Sequence, residues 1–101
     1  MVVIPGHHWL KLKAVKEELG REFELAQETE INKLFSDCQS GAIPPLGPAY
    51  KLQTLMDQRL LTLVNVYFDV GDHEHLVHLD GKAFHALLKG VRHGYFSHNN
   101  D

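Results

Sequence analysis

The chain has almost no cysteine. Cys38 stands alone, so no internal disulfide can form, and zinc sites built on several thiolates are excluded. A reducing cytoplasm is the compartment expected for such a chain. Long apolar runs are also missing. Hydrophobic residues make up 44% of the sequence, yet nowhere do they approach the roughly 20 consecutive residues a membrane-spanning helix needs. The opening Met-Val-Val-Ile-Pro-Gly is too short, and lacks the basic start, to be read as a signal peptide. Positive charge is scarce: ten Lys and Arg face thirteen Asp and Glu, for a formal charge of −3. That balance argues against broad, nonspecific nucleic-acid binding, which needs a basic surface. Proline is sparse as well, with four in all, but two of them are adjacent.

Those adjacent prolines mark the most informative stretch, Phe35 to Gly47, reading FSDCQSGAIPPLG. Pro44 and Pro45 fix φ and remove two backbone donors, while Gly41 and Gly47 permit backbone conformations other residues avoid. Such a run cannot continue a helix or sit inside a sheet. It forms a rigid, preshaped loop, the kind of connection that often carries a binding site and more often only turns the chain.

A length of 101 residues suits one domain with one core. Val2 to Ile4 is a β-branched strand stopped by Pro5-Gly6. From Trp9 to Leu19, Leu12, Val15 and Leu19 recur at helical spacing, with Gly20 as the stop. Phe23 to Ala26 reads as a short strand, and Glu28 to Phe35 as a helix with acidic residues in its first turn. Tyr50 to Leu55 reads as a strand, and Asp57 to Leu60 as a turn or short helix. Val64 to Val70 alternates cleanly, with Val64, Val66, Phe68 and Val70 on one face. A turn at Gly71-Asp72 leads to a second strand, His73 to Leu79, pairing antiparallel with the first. Gly81 to Lys89 reads as a helix, and the tail from His93 as a frayed polar end.

Eight histidines call for a metal test. On a strand, His73 and His75 share a face, and Asp69 or Asp72 could add a carboxylate. No HExxH, second cysteine or finger-like spacing accompanies them, so the expected reading is polar surface and no metal. His7, His8, His85, His93 and His98 are read as surface residues. Cys38, next to Asp37, reads as a small half-buried residue rather than a nucleophile, since no base can be assigned to it. Lys11, Lys13, Lys16 and Arg21 cluster on the first helix. They form either a solvated face balanced by Glu17, Glu18 and Glu22, or a landing patch for a few phosphates.

The segments VVIPGHHWLKLKAVKEELG, FELAQETEINKLFSDCQSGAIPPLG and VNVYFDVGDHEHLVHLDGKAFHALL together resemble, in order, the YbaK/EbsC-type aminoacyl-tRNA deacylases. That superfamily includes the editing domain inserted in bacterial prolyl-tRNA synthetases. The resemblance implies an α+β fold with a mixed, strongly curved, partly barrel-like sheet and about three flanking helices. It implies trans-editing hydrolysis of the ester in mischarged aminoacyl-tRNA, with no cofactor. The alternative is a noncatalytic module that binds a tRNA end, a small ligand or a protein. Gly41 and Pro45 match the family's Gly-x-x-x-Pro pattern, so Gly41, Ala42 and Ile43 are expected to line the aminoacyl end, with Pro44, Pro45, Gly47, Gly71 and His73 as further substrate contacts. Gly41 and Asp69 are the candidate catalytic positions, Asp69 through contact with substrate rather than as a general base. Lys11, Lys13 and Lys16 would meet tRNA phosphates. Family members carry a longer N-terminal segment with further strands and a substrate-facing lysine. Residues 1–101 are therefore expected to be a domain incomplete at its start, associating as a homodimer through an unpaired sheet edge.

Overall fold

A computed structural model describes residues 1–69 and 71–99. Chain order gives β1 (Val2–Val3), β2 (His8–Leu10), α1 (Leu12–Leu19), α2 (Glu28–Leu34), β3 (Leu55–Asp57), β4 (Asn65–Asp69), β5 (Leu76–Asp80), α3 (Gly81–Leu87), β6 (Arg92–Gly94) and β7 (Ser97–Asn99), with short 3-10 turns at Gly47–Tyr50 and Gln58–Thr62. The architecture is α+β and mixed. β1, β3 and β6 form a parallel sheet with β3 in the middle, while β2–β7 and β4–β5 are separate antiparallel pairs. The expected single curved, barrel-like sheet is thus corrected: among the described residues there are three small sheets and no closed barrel. Strands of two to five residues are too short to accumulate the twist that closes a barrel.

β3 organises the interior because its side chains alternate. Met56 packs with Val3, Leu60, Val66, Phe84 and Leu88 on one side. Leu55 packs with Val15 of α1 and Phe96 on the other. The sheet therefore has α1 behind it and α3 with the β4–β5 pair in front. Met56, Phe84, Leu88 and Val15 are essentially inaccessible to solvent, and burying each large side chain is worth about 1.5–3 kcal/mol.

Asp57, at the end of β3, is fully buried. It accepts hydrogen bonds from the Ser97 hydroxyl at 2.6 Å, the Phe96 N–H at 3.0 Å and the Arg59 N–H at 2.9 Å. Burial opposes its ionisation, but these donors and the nearby Arg59 charge outweigh it and leave its pKa below the usual carboxylate value. One carboxylate thereby ties the C-terminal strand to the central sheet.

Several sequence expectations shift. Trp9 lies in β2, not at the head of a helix, because Ser97–Asn99 supplies a partner strand and the Lys11 N–H bonds the Phe96 carbonyl. The tail expected to fray forms β6 and β7 and buries Phe96 and Ser97. Phe23 to Ala26 finds no strand partner among the described residues, and Tyr50 belongs to a 3-10 turn. β4 and β5 pair as expected, with Val66 opposite Leu79 and Phe68 opposite Val77. Val70, expected to end that strand, lies outside the described residues. Among the described residues β1 pairs on one side only, with β3. No helix among the described residues is long and apolar enough to cross a membrane.

Candidate functional site

The loop after α2 is pinned by its own prolines and by the β4–β5 turn. The Ala42 N–H bonds the Gln39 carbonyl, and the Gln39 N–H reaches the Gly71 carbonyl at 2.7 Å. Gly41 has φ +79°, a conformation that strains any residue with a Cβ. A Cβ placed there would meet only the His73 ring, at an ordinary 3.6 Å. Conformation, not crowding, therefore selects glycine at 41. Among the described residues no acceptor engages the Gly41 or Ile43 N–H.

The turn that meets this loop is built by Asp69. Its Oδ1 accepts from the Gly71 N–H at 2.8 Å and the His73 N–H at 3.3 Å. Gly71 has φ +113°, and a Cβ on it would fall 3.0 Å from the Cys38 sulfur. His73 itself adopts φ +61°. Its Nε2 lies 2.5 Å from the Ser40 carbonyl, and a carbonyl only accepts, so Nε2 carries the proton. His73 Nδ1 faces the Asp69 carboxylate at 3.6 Å. Asp69, Gly71, His73 and Gly41 thus converge, although 28 residues of sequence separate Gly41 from Asp69.

The other expected contacts divide. Ile43 and Pro45 are half-exposed, whereas Ala42, Pro44 and Gly47 are buried. At Gly47 a Cβ would fall 2.0 Å from the Thr54 hydroxyl, so its smallness serves packing. A hollow of about 350 Å³ lies beside Pro45, lined by Val3, Leu60, Val66, Phe68 and Phe84 among others. A second, of about 280 Å³, lies between β1 and Ile43–Pro45. A further hollow, about 510 Å³ near Thr54 and Lys89–Arg92, touches none of the candidate residues.

Cys38 sits beneath this turn. Its sulfur lies 3.4 Å from the Tyr50 hydroxyl, which donates to Asp37 at 2.9 Å. The contact with Cys38 and then that with Asp37 raise the Tyr50 pKa, so the phenol stays protonated as a structural donor. Sequence reasoning missed Ser40 and Tyr50, because their partners lie 33 and 13 residues away.

His73 and His75 do not share a strand face, since both precede β5 in the turn. His75 Nδ1 instead bonds Asp72 at 2.6 Å. That contact first, then the Glu74 and His75 N–H groups, hold the Asp72 pKa near 2. Donor atoms of Asp72, Glu74 and His75 lie within 4.8 Å of one another on exposed surface, a grouping the Asp72 turn itself explains. Of the three lysines, Lys16 pairs with Glu22 at 2.8 Å. Lys11 and Lys13 are exposed and have no ion-pair partner among the described residues.

The family model of the aminoacyl-tRNA editing domain matches residues 1–87. No curated protein matches the chain. Solved structures resemble it closely in fold. A putative signal transduction protein from Marinobacter aquaeolei VT8 is 20% identical at TM-score 0.82, covering 95% of this chain and 21% of that one. The hypothetical protein APE2540 is 26% identical at TM-score 0.81, covering 96% of this chain and 63% of its own. A scaffold protein from computational epitope grafting is 21% identical at TM-score 0.81, covering 97% and 64%. The chain therefore spans less than two thirds of each of these proteins.

Proposed function

The chain belongs to the aminoacyl-tRNA editing domain family, and on that premise we propose that it hydrolyses the ester joining an amino acid to the terminal ribose of a mischarged tRNA. The observation that carries this reading is the glycine loop itself. Gly41 stands exposed at φ +79°, with its N–H and that of Ile43 unclaimed among the described residues, and Ile43, Pro44 and Pro45 just after it line a hollow against β1. Two such donors suit the carbonyl oxygen of an ester as it gains negative charge. Removing one donor of this kind typically costs about 10²–10³ in rate. Water adds to the carbonyl carbon, the carbon–ribose oxygen bond breaks, and the ribose oxygen takes up a proton. No metal and no covalent intermediate is needed, because the aminoacyl ester is already activated and positioning supplies much of the barrier reduction. Asp69 and His73 act by holding the turn and the loop in register.

The alternative is a noncatalytic module that uses the same loop only to bind. Asp69 and His73 are already bonded, to the turn N–H groups and to the Ser40 carbonyl, and so are better placed to position than to transfer protons. Incubation with a panel of mischarged tRNAs, beginning with those for proline and cysteine, separates the two. Release of free amino acid from at least one supports the hydrolase. Binding of the tRNAs with no release supports the binding module.

A further inference from the structure

The β2–β7 ribbon presents a surface that the loop chemistry does not use. Trp9 is 57% exposed and lies directly opposite His98, which is also exposed. Lys11 continues β2 in an extended conformation, so strand alternation puts it on the same face as Trp9. Lys13 follows at the start of α1. Both lysines lack ion-pair partners among the described residues, Glu17 being the acidic residue in the hollow beside them. Other exposed aromatic rings are already covered: Tyr67 stacks on His78 at 4.6 Å, and Tyr95 lies under the Arg59 guanidinium at 5.0 Å. Among the described residues the Trp9 indole has no such neighbour. A hollow of about 290 Å³, lined by Gly6, His7, His8 and Trp9, adjoins it.

Hydrogen-bond logic shows how the strand that carries Trp9 is anchored, through His8 on its opposite face. The Asp57 carboxylate only accepts, so the Ser97 hydroxyl donates to it at 2.6 Å. The Ser97 oxygen must then accept from His8 Nδ1–H at 2.9 Å. His8 Nε2 is left with its lone pair, an acceptor on a ring anchored to the core. Partial burial, with His7 and Arg59 nearby, lowers the His8 pKa and favours this neutral form.

We propose that the Trp9 face is a stacking platform for an unpaired RNA nucleotide, with Lys11 and Lys13 meeting its phosphates. Single strands are gripped in this way, by aromatic stacking plus local positive charge, without a globally basic protein. The inference rests on the deacylase reading only for the identity of the strand, the unpaired 3′ end of the tRNA.

The test needs no hydrolysis. Trp9 is the one tryptophan in the chain, so its fluorescence reports directly as the single-stranded RNA ACCA is titrated into the full chain. Saturable quenching is expected, with weaker binding of UUUU, whose bases stack less strongly. By anisotropy of labelled ACCA, Trp9→Leu should weaken binding about 5- to 150-fold, with an unchanged melting curve showing that the fold survives. Trp9→Phe should retain most of the affinity. Lys11→Ala should weaken binding and flatten its salt dependence. Absence of quenching, equal affinity in Trp9→Leu, or equal affinity for UUUU overturns the platform. Stacking without ester hydrolysis leaves this inference standing while the deacylase reading fails. Hydrolysis indifferent to Trp9→Leu does the reverse.

Discussion

Replacing Asp57 with alanine should loosen the C-terminal strand from the sheet and destabilise the whole domain. The carboxylate is fully buried and serves three donors. Its loss strands the Phe96 N–H and the Ser97 hydroxyl in the interior, and a stranded buried donor costs about 1–3 kcal/mol. A shift of His8 to its Nε2–H tautomer would let the Ser97 hydroxyl donate to Nδ1 and recover part of this, and Arg59, half in solvent, adds little. The expected loss is about 2–4 kcal/mol, a large share of the 5–15 kcal/mol typical of a domain. For a chain this size that lowers Tm by roughly 8–30 °C. Asp57→Asn keeps one acceptor oxygen and should cost about half as much. Urea titration followed by circular dichroism measures both variants, and a double-mutant cycle with Ser97→Ala should return a clear coupling. A Asp57→Ala midpoint within about 0.5 kcal/mol of wild type, the usual range for neutral surface changes, would refute the claim that this network anchors β7.

Gly71→Ala should destabilise by about 1–3 kcal/mol, because φ +113° is nearly closed to alanine and its methyl would press on the Cys38 sulfur; denaturant midpoints would show it, and an unchanged midpoint would contradict the turn geometry. Acid should weaken the fold. A His8 pKa lowered on folding means that the unfolded chain binds its proton more readily. Stability is therefore full above the unfolded value near 6.5 and declines as pH falls below it. The lowered Asp57 pKa adds a further loss in more acidic solution, below the ordinary carboxylate value. His8→Gln should flatten the first part of that dependence, and a domain that grows more stable between pH 7 and 5 would refute the assignment. The one-sided pairing of β1 leaves backbone groups open to a second copy, so light scattering should report concentration-dependent association, and a strict monomer at high micromolar concentration would count against it.

How much was legible in the sequence depended on how local the cause was. The β4–β5 hairpin and α1, α2 and α3 follow from alternation or helical spacing within each segment. Trp9 and the tail were misjudged because β2 and β7 exist only through each other, and no local pattern reveals that Phe96 and Ser97 are buried. Asp57 read as a turn residue, since its donors lie up to 40 residues away. At the site, resemblance pointed to Gly41, Asp69, Gly71 and His73, and periodicity could not have joined them. The alternation that placed His73 and His75 on one strand face failed because Asp69 and Asp72 capture the turn N–H groups and delay β5 to Leu76.

Single-turnover hydrolysis of a mischarged aminoacyl-tRNA, compared between wild type, Gly41→Ala and Gly41→Asn with and without a metal chelator, tests the central claim most directly. Alanine at φ +79° strains the loop by about 1–2 kcal/mol and should displace the donors enough to slow hydrolysis about 10²-fold. Asparagine, which tolerates this conformation better, should retain more of the rate, and chelator should change nothing. Hydrolysis that survives Gly41→Ala intact, or that disappears with chelator, would contradict a metal-free mechanism built on the Gly41 backbone.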